Sequence, residues 1–146
     1  MAKIPKALHE PINTAFPANV PLIGTVQPGD WAQIGIRGST MVFDDEHFAL
    51  WERGRGTTNT QLQQGAKVTI FFRSAALRES GVLKAGGVAR FYGTVDAVHK
   101  SGAVYDEVWR RLIQPEKNGD PEKKGYAVLI KVDKAEDLGG RPLALD

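Results

Sequence analysis

The segment Arg53-Gly54-Arg55-Gly56-Thr57-Thr58-Asn59 combines residue types that suit the binding of a phosphate group. It places two guanidinium groups, two glycines and three side-chain oxygens just ahead of a stretch that resembles a short helix. Arginine donates paired charged hydrogen bonds to phosphate, glycine lets the backbone approach, and a helix N-terminus offers unpaired N–H groups. The same composition also fits a solvated loop with a threonine cap, and the Gly-Lys-Ser/Thr ending of a P-loop is absent.

Other side-chain combinations in the sequence offer less chemistry. The histidines His9, His47 and His99 lie far apart and lack metal-ligand spacing, so no metal site is predicted. The acidic run Asp44-Asp45-Glu46 is more typical of a solvated turn than of an oxygen-ligand site. The sequence contains no Gly-x-Ser-x-Gly, the turn that carries the nucleophile of many hydrolases. We therefore assign no catalytic side chain from the sequence.

The composition is that of an ordinary globular protein. The 146 residues fit one domain over residues 1–146, and a hydrophobic share of 42% predicts a packed core. A balance of 19 basic and 17 acidic residues is too even for a general nucleic-acid binder, and the absence of cysteine excludes disulfides. No apolar stretch is long enough for a signal peptide or a membrane span. We expect a cytoplasmic protein with neither a nucleic-acid nor a membrane partner.

Alternating apolar and polar residues predict a meander of strands that must position the polar segment. The predicted strands cover residues 20–27, 31–37, 47–52, 67–73, 88–98 and 126–132, and a short apolar stretch at 41–43 precedes the third of them. The turn Pro28-Gly29-Asp30 joins the first two strands as a hairpin, and the small residues of 88–98 suit a crowded barrel interior. About six antiparallel strands favour a barrel, because closure removes exposed strand edges.

Helical patterns flank this meander. A short helix is predicted over 3–13, one or two turns over 58–65, and a longer helix over 102–113. The longer helix carries one apolar stripe that predicts packing on the barrel, formed by Val104, Tyr105, Val108, Trp109 and Leu112. Residues 74–87 and 114–125 are predicted to be loops. Within the second loop, the charged stretch Lys117–Lys124 is predicted to be solvated.

The order of several short stretches along the chain resembles a known family. These stretches are Leu22-Ile23-Gly24-Thr25-Val26, Pro28-Gly29-Asp30, Phe48-Ala49-Leu50-Trp51, Thr57-Thr58-Asn59, Val68 to Phe72 and Gly93-Thr94-Val95. Over residues 15–135 the sequence resembles the pyridoxamine 5'-phosphate oxidase-related family of FMN-binding split barrels. The resemblance implies a mostly β, six-stranded antiparallel split β-barrel with a few short helices. It also implies a homodimer with FMN at the subunit interface.

Positions matched to that family, together with the opening segment, provide the candidate FMN-binding residues. They are Arg37, Ser39, Trp51, Glu52, Arg53, Arg55, Thr57, Thr58 and Asn59. The resemblance implies that Arg37, Ser39 and the 55–59 segment hold the phosphate, and that the backbone of Trp51 and Glu52 faces the flavin ring. The oxidase itself carries Arg-x-Val-Leu-Leu-Lys and Ser-Arg-Lys where this chain has Ile34 to Ser39 and Gly56 to Thr58, so its substrate is not carried over.

The resulting prediction is an FMN-dependent oxidoreductase in which the flavin carries the redox chemistry and the protein supplies position and polarity. Three alternatives remain open. In the first, the ligand is a deazaflavin or haem instead of FMN. In the second, the protein binds a flavin without turnover. In the third, the barrel binds nucleic acid through the Arg90-Phe91-Tyr92 stretch.

Overall fold

A curled antiparallel sheet with short helices forms the body of the protein. The computed structural model describes residues 3–54 and 62–143. Its strands are β1 (Leu22–Gln27), β2 (Trp31–Ile36), β3 (Met41–Val42), β4 (His47–Glu52), β5 (Lys67–Arg73), β6 (Val88–His99) and β7 (Tyr126–Glu136). Its helices are α1 (Lys6–Asn13), α2 (Ala75–Glu79), α3 (Ala103–Arg111) and α4 (Gln114–Asn118). The predicted mostly β antiparallel fold is confirmed. The described residues form seven strands rather than six, because β3 pairs with β4 as a strand of its own.

The connection between β2 and β3 forces this sheet to curl. Its strand order is β2-β1-β5-β6-β7-β4-β3, so β2 and β3 lie at opposite edges. In a flat sheet, six spacings between strands would separate those edges by roughly 29 Å. Residues 37–40 link the two strands, and the chain from Ile36 to Met41 reaches at most about 17 Å. The two edges must therefore approach each other and form a seam, which is the geometry of a split barrel.

The inside of the curl holds the main hydrophobic core. Phe48, Ile70 and Phe91 are almost completely buried there, and the rings of Phe48 and Phe91 meet edge to face at 4.9 Å. Strand β6 approaches β7 so closely at Gly93 that only a glycine fits. A Cβ at Gly93 would lie 2.7 Å from both Ile130 Cγ2 and Lys131 O. The predicted use of small residues at a crowded interior is thus observed at this position.

A second apolar cluster lies on the outer face of the sheet, under α3. Trp51 and Ala49 of β4 pack there with Val108 and Leu112, as the apolar stripe of the predicted helix requires. The ring of Trp51 lies 5.0 Å from the ring of Trp109. Because successive residues of a strand face opposite sides, β4 sends Trp51 outward and Phe48 and Leu50 inward.

Two segments that were predicted to be loops contain short helices. Ser74 caps α2, its hydroxyl accepting a hydrogen bond from the N–H of Leu77 at 3.2 Å, and Pro115 stands in the first turn of α4. The helix predicted from residue 3 begins at Lys6, after Pro5. Residues 55–61, which include the first half of the predicted helix at 58–65, lie outside the described part of the chain. Within the described ranges no helix combines the length and apolar character needed to cross a bilayer.

Candidate functional site

A cleft of about 340 Å³ opens at the seam where the β2–β3 connection meets the end of β4. We call it the seam cleft. It is lined by Phe16, Val20, Ile36, Arg37, Gly38, Ser39, Trp51, Glu52, Arg53 and Glu116. Five of the nine predicted FMN-binding residues are in this lining: Arg37, Ser39, Trp51, Glu52 and Arg53. They come from two chain segments, 37–39 and 51–53, which the pairing of β3 with β4 brings together. The volume falls in the range of about 300–1,000 Å³ that is typical of ligand sites.

An ion pair between Arg37 and Glu52 lies in the seam cleft. Glu52 Oε2 accepts a hydrogen bond from Arg37 Nη2, and Glu52 Oε1 accepts one from the N–H of Gly54 at 3.0 Å. Glu52 is only 1% exposed, so its charge depends on these partners instead of on water. Tyr126 is the register partner of Glu52 on β7. Burial raises the pKa of Tyr126, and the negative charge of Glu52 raises it further, so this phenol stays neutral.

Ser39 extends the strand pairing of β4 beyond the end of β3. The register that pairs Met41 with Ala49 places Ser39 opposite Trp51. Its hydroxyl accepts a hydrogen bond from the N–H of Trp51 at 3.0 Å and donates one to the carbonyl of Trp51 at 3.2 Å. The hydroxyl thus fills the place of a strand backbone at the edge of β4. A contact of Ser39 with a phosphate remains a prediction, as does the facing of the Trp51 backbone toward a flavin.

Asp120 fixes the indole of Trp51 from the side opposite the barrel interior. Its Oδ2 accepts hydrogen bonds from Trp51 Nε1 and from the N–H of Gly125, both at 2.8 Å. Its Oδ1 accepts one from the N–H of Lys124 at 3.0 Å. Burial alone would raise the pKa of Asp120, but these hydrogen bonds and the charge of Arg53 hold the pKa below its ordinary value. Asp120 is therefore an anion that anchors the wall of the cleft.

Arg53 stands at the mouth of the cleft, exposed and in contact with the segment after α4. A Cβ on Gly119 would collide with the Arg53 guanidinium, so the glycine makes room for it. The guanidinium lies near Asp120, whose pKa it lowers. Arg53 leads directly into the 55–59 segment. The remaining four predicted residues, Arg55, Thr57, Thr58 and Asn59, lie outside the described residues, so their place in the site remains a prediction.

Several residues that shape the cleft were not predicted from the sequence. Asp120 was placed in a solvated loop, but it is buried against Trp51. Glu116 of α4 lies against the β2–β3 connection, its Oε2 3.1 Å from where a Cβ of Gly38 would be. Phe16 lines the same cleft. Local composition carries no signal for these contacts, since Asp120 and Trp51 are 69 residues apart.

The described cleft has the chemistry of a binding site. Arg37 and Arg53 offer positive charge to an anionic group, and Glu52 and Glu116 limit the net charge of the wall. Among the described residues, no group of three or more histidines and carboxylates is arranged to hold a metal ion. The arrangement can position an anionic ligand at its mouth and a less charged part farther inside.

Comparison with known proteins identifies the fold through solved structures and not through sequence. No family model and no curated protein sequence matches this chain. Among solved structures, HupZ of Group A Streptococcus is 21% identical, with a TM-score of 0.69 over 97% of this chain and 98% of that one.

Two further solved structures carry flavin-related descriptions. An FMN-binding protein from Syntrophomonas wolfei is 16% identical, with a TM-score of 0.63 over 90% of this chain and 86% of that one. A Clostridium acetobutylicum protein of the pyridoxinephosphate oxidase family is 13% identical, with a TM-score of 0.59 over 90% and 88%. The chain therefore has the split-barrel fold of the pyridoxamine 5'-phosphate oxidase-like FMN-binding proteins.

Proposed function

We propose that this protein binds FMN in the seam cleft, works as a homodimer and uses the flavin as a redox group. One observation carries the proposal. The cleft at the seam of a split barrel contains Arg37, which the family resemblance assigns to a flavin phosphate, and Arg53, which begins the segment whose composition suits one. In the comparisons, proteins of this fold include one described as FMN-binding.

The described residues fit the phosphate end of FMN. Arg53 is exposed at the mouth and leads into the segment with a further arginine and three side-chain oxygens. A phosphate at that mouth would gain charged hydrogen bonds, which are stronger than neutral ones. Arg37 lies deeper and is already paired with Glu52, so its charge is partly compensated. We therefore assign the phosphate to the Arg53 end of the cleft. Arg37 attracts the phosphate electrostatically from a longer distance.

Bound FMN supplies hydride and single-electron transfer, and the chain supplies placement. Ser39 and Asp120 hold the backbone and the indole of Trp51, which keeps one wall of the cleft in a single arrangement. Glu52 keeps a buried negative charge beside the site, and Tyr126 next to it remains protonated. No side chain is assigned the role of acid, base or nucleophile.

An exposed apolar face on β1 and β2 supports the homodimer. Ile34 and Ile36 are each 70% exposed, and Val26 of β1, 53% exposed, lies on the same face because it pairs with Ala32. A groove of about 740 Å³ runs along the same strands. Large contiguous apolar patches are uncommon on soluble monomers and mark interaction surfaces. Ile36 belongs to this face and also lines the seam cleft, so a second copy bound here would lie at the edge of the cofactor site.

Flavin binding is tested by titrating the purified protein with FMN and with riboflavin, which lacks the phosphate. We expect a flavin visible spectrum and tighter binding of FMN. Arg55→Ala and Thr57→Ala should each weaken FMN by roughly 1–3 kcal/mol, the value of a charged hydrogen bond, and leave riboflavin unchanged. Arg78→Ala, in α2 and outside the cleft, is the matched control. A protein that binds neither flavin would refute the proposed function.

The redox role and the dimer have separate tests. Reduction of the bound flavin by a nicotinamide donor and its reoxidation by an acceptor would support an oxidoreductase. Bound flavin that no donor reduces would instead identify a carrier. For the dimer, Ile34→Glu should lower the mass measured by sedimentation equilibrium to that of one chain. Leu138→Glu changes an apolar side chain of similar exposure outside the face and should leave the mass unchanged. A monomeric parent protein would contradict the dimer.

A further inference from the structure

A second cavity adjoins the seam cleft. It has a volume of about 270 Å³ and lies between the end of α1, strand β3 and the end of α3. We call it the rear chamber. It shares four lining residues with the seam cleft: Phe16, Val20, Gly38 and Ser39. An occupant of the rear chamber would therefore lie beside an occupant of the seam cleft.

Apolar side chains form most of the wall of the rear chamber. Four of them are buried and one is half-buried: Ile12, Ala15, Met41, Val42 and Ile113. A wall of this kind favours an apolar ligand over water. The volume lies just below the range of about 300–1,000 Å³ for common ligand sites, so the chamber suits a small molecule.

The charge on this wall differs from the charge on the seam cleft. Arg111 is the one charged residue among the described residues that line the chamber, whereas two arginines and two glutamates line the seam cleft. Glu107 Oε2 lies 2.8 Å from Arg111 Nε, but the same carboxylate accepts two hydrogen bonds from Arg110, at 2.8 and 2.7 Å. The hydrogen bonds from Arg110 and Arg111 lower the pKa of Glu107 to about 2. One carboxylate thus faces two guanidinium groups, and one positive charge is left over.

The guanidinium of Arg111 is held in place and is still accessible. Its Nη1 donates to the carbonyl of Phe43 at 2.9 Å, and its Cζ lies 4.8 Å from the centroid of the Phe43 ring. Its Nε donates to Glu107, so Nη2 has no protein partner among the described residues. The side chain is 36% exposed, and a ligand can therefore reach it.

Asn13 adds a second hydrogen-bond donor. Its Oδ1 accepts a hydrogen bond from the N–H of Val42 at 2.7 Å, which orients the amide and leaves Nδ2 without a partner in the described part of the chain. Because Asn13 and Arg111 bind the consecutive residues Val42 and Phe43, they belong to the same end of the chamber. They are the two exposed polar residues of the wall. Both present N–H groups, which match a ligand group that only accepts hydrogen bonds, such as a carboxylate.

We propose that the rear chamber binds a small monocarboxylate with an apolar body, of the class of an aromatic acid. The apolar body packs on the buried wall, and the carboxylate accepts hydrogen bonds from Arg111 and Asn13. This site is distinct from the mouth of the seam cleft at Arg53, to which the flavin phosphate is assigned. It belongs to the protein whether or not a flavin is bound, so a failure of flavin binding leaves the inference standing.

The test uses benzoate and benzamide as probes on the purified protein, by ligand-detected NMR titration at pH 7. The two molecules share a ring and nearly the same size, and they differ in charge. We expect benzoate to bind more tightly than benzamide, with a difference that narrows in high salt because Arg111 is partly exposed. Arg111→Gln should weaken benzoate about fivefold and leave benzamide nearly unchanged.

Glu107→Gln provides a test with the opposite sign. Glu107 does not line the chamber, and its removal frees Arg111 from a competing carboxylate. Benzoate should then bind about two- to threefold more tightly, with benzamide unchanged. Arg78→Gln, in α2 and outside the chamber, is the matched control and should bind both probes as the parent does.

Ile113→Trp tests the place of binding, because it fills the chamber from a half-buried position outside both apolar clusters. It should abolish binding of both probes, whereas Leu138→Trp, at an exposed position away from the chamber, should leave binding intact. The near-ultraviolet circular dichroism of each variant reports its folding. The proposal is overturned if benzoate does not bind the parent more tightly than benzamide, if folded Ile113→Trp binds benzoate normally, or if Arg111→Gln leaves benzoate unchanged.

Discussion

Replacement of Glu52 by glutamine isolates the charge of the buried Arg37–Glu52 pair. The substitution keeps the size of the side chain, and its oxygen can still accept a hydrogen bond from Arg37 or from the N–H of Gly54, but not from both. Breaking a fully buried pair costs about 3–5 kcal/mol. Here 18% of the Arg37 side chain is exposed and one acceptor survives, which lowers the expected loss to about 2 kcal/mol. For a chain of this length that loss lowers the thermal midpoint by roughly 6–8 °C.

The same substitution has a functional consequence. Without the Glu52 carboxylate, the charge of Arg37 is no longer compensated inside the cleft. An anionic ligand should then bind better relative to its neutral analogue. We expect the ratio of FMN to riboflavin affinity to rise about tenfold, equivalent to about 1.4 kcal/mol. Urea unfolding measures the stability, and fluorescence titration of both flavins measures the ratio.

A second buried pair provides the matched control. Glu136 and Arg90 form an ion pair at 3.1 Å, with side chains 6% and 23% exposed, outside the seam cleft. Glu136→Gln should lose similar stability and leave the flavin ratio unchanged. An unchanged ratio in folded Glu52→Gln would refute a contribution of Arg37 to binding of the phosphate. Unchanged stability would refute the ion pair itself.

Three further substitutions test the packing around the site. Asp120→Asn should cost about 2–3 kcal/mol at pH 7, since three N–H donors lose a charged acceptor. The pKa of Asp120 is lowered in the folded state, so its contribution is complete above the unfolded pKa of about 4 and is lost as the pH falls through the folded pKa. Urea unfolding of the two proteins should therefore converge in acid, and a constant difference down to pH 2 would contradict the charged role. Gly93→Ala should cost more than about 2 kcal/mol, because its Cβ would lie 2.7 Å from two atoms of β7. Gly35→Ala, with open space around it, should unfold at nearly the parent urea concentration, and equal losses would contradict the close approach. Ser39→Ala should cost about 1–3 kcal/mol and speed hydrogen exchange at the amide of Trp51, and an unaltered exchange rate would show that the hydroxyl is not its partner.

The strands were predictable because their signals are local. The bounds of β4 and β5 match the predicted 47–52 and 67–73, since alternation of apolar and polar residues reports directly which side chains face the core. The stripe on α3 was predictable for the same reason. The helices α2 and α4 were missed, because each is five residues long and too short to show a helical period.

The candidate site was predictable only in part. The family resemblance identified Arg37, and the composition of segment 53–59 identified Arg53, as candidate partners of a phosphate, and the structure brings both to one cleft. The pairing of Arg37 with Glu52 was not predictable, because an acidic residue at the end of a strand usually faces water. The burial of Asp120 was not predictable either, since its partner Trp51 lies on a strand distant in sequence.

By itself, the sequence determined which segments form strands, which helix face is apolar, and which segment has the composition of a phosphate site. These properties depend on neighbouring residues along the chain. Only the tertiary structure decided that the edges β2 and β3 meet, because the curl follows from a sheet order set by long-range pairing. The seam cleft lies where these edges meet, and there Glu52 is buried beside Arg37. Burial and charge compensation arise between distant segments, and therefore no local pattern records them.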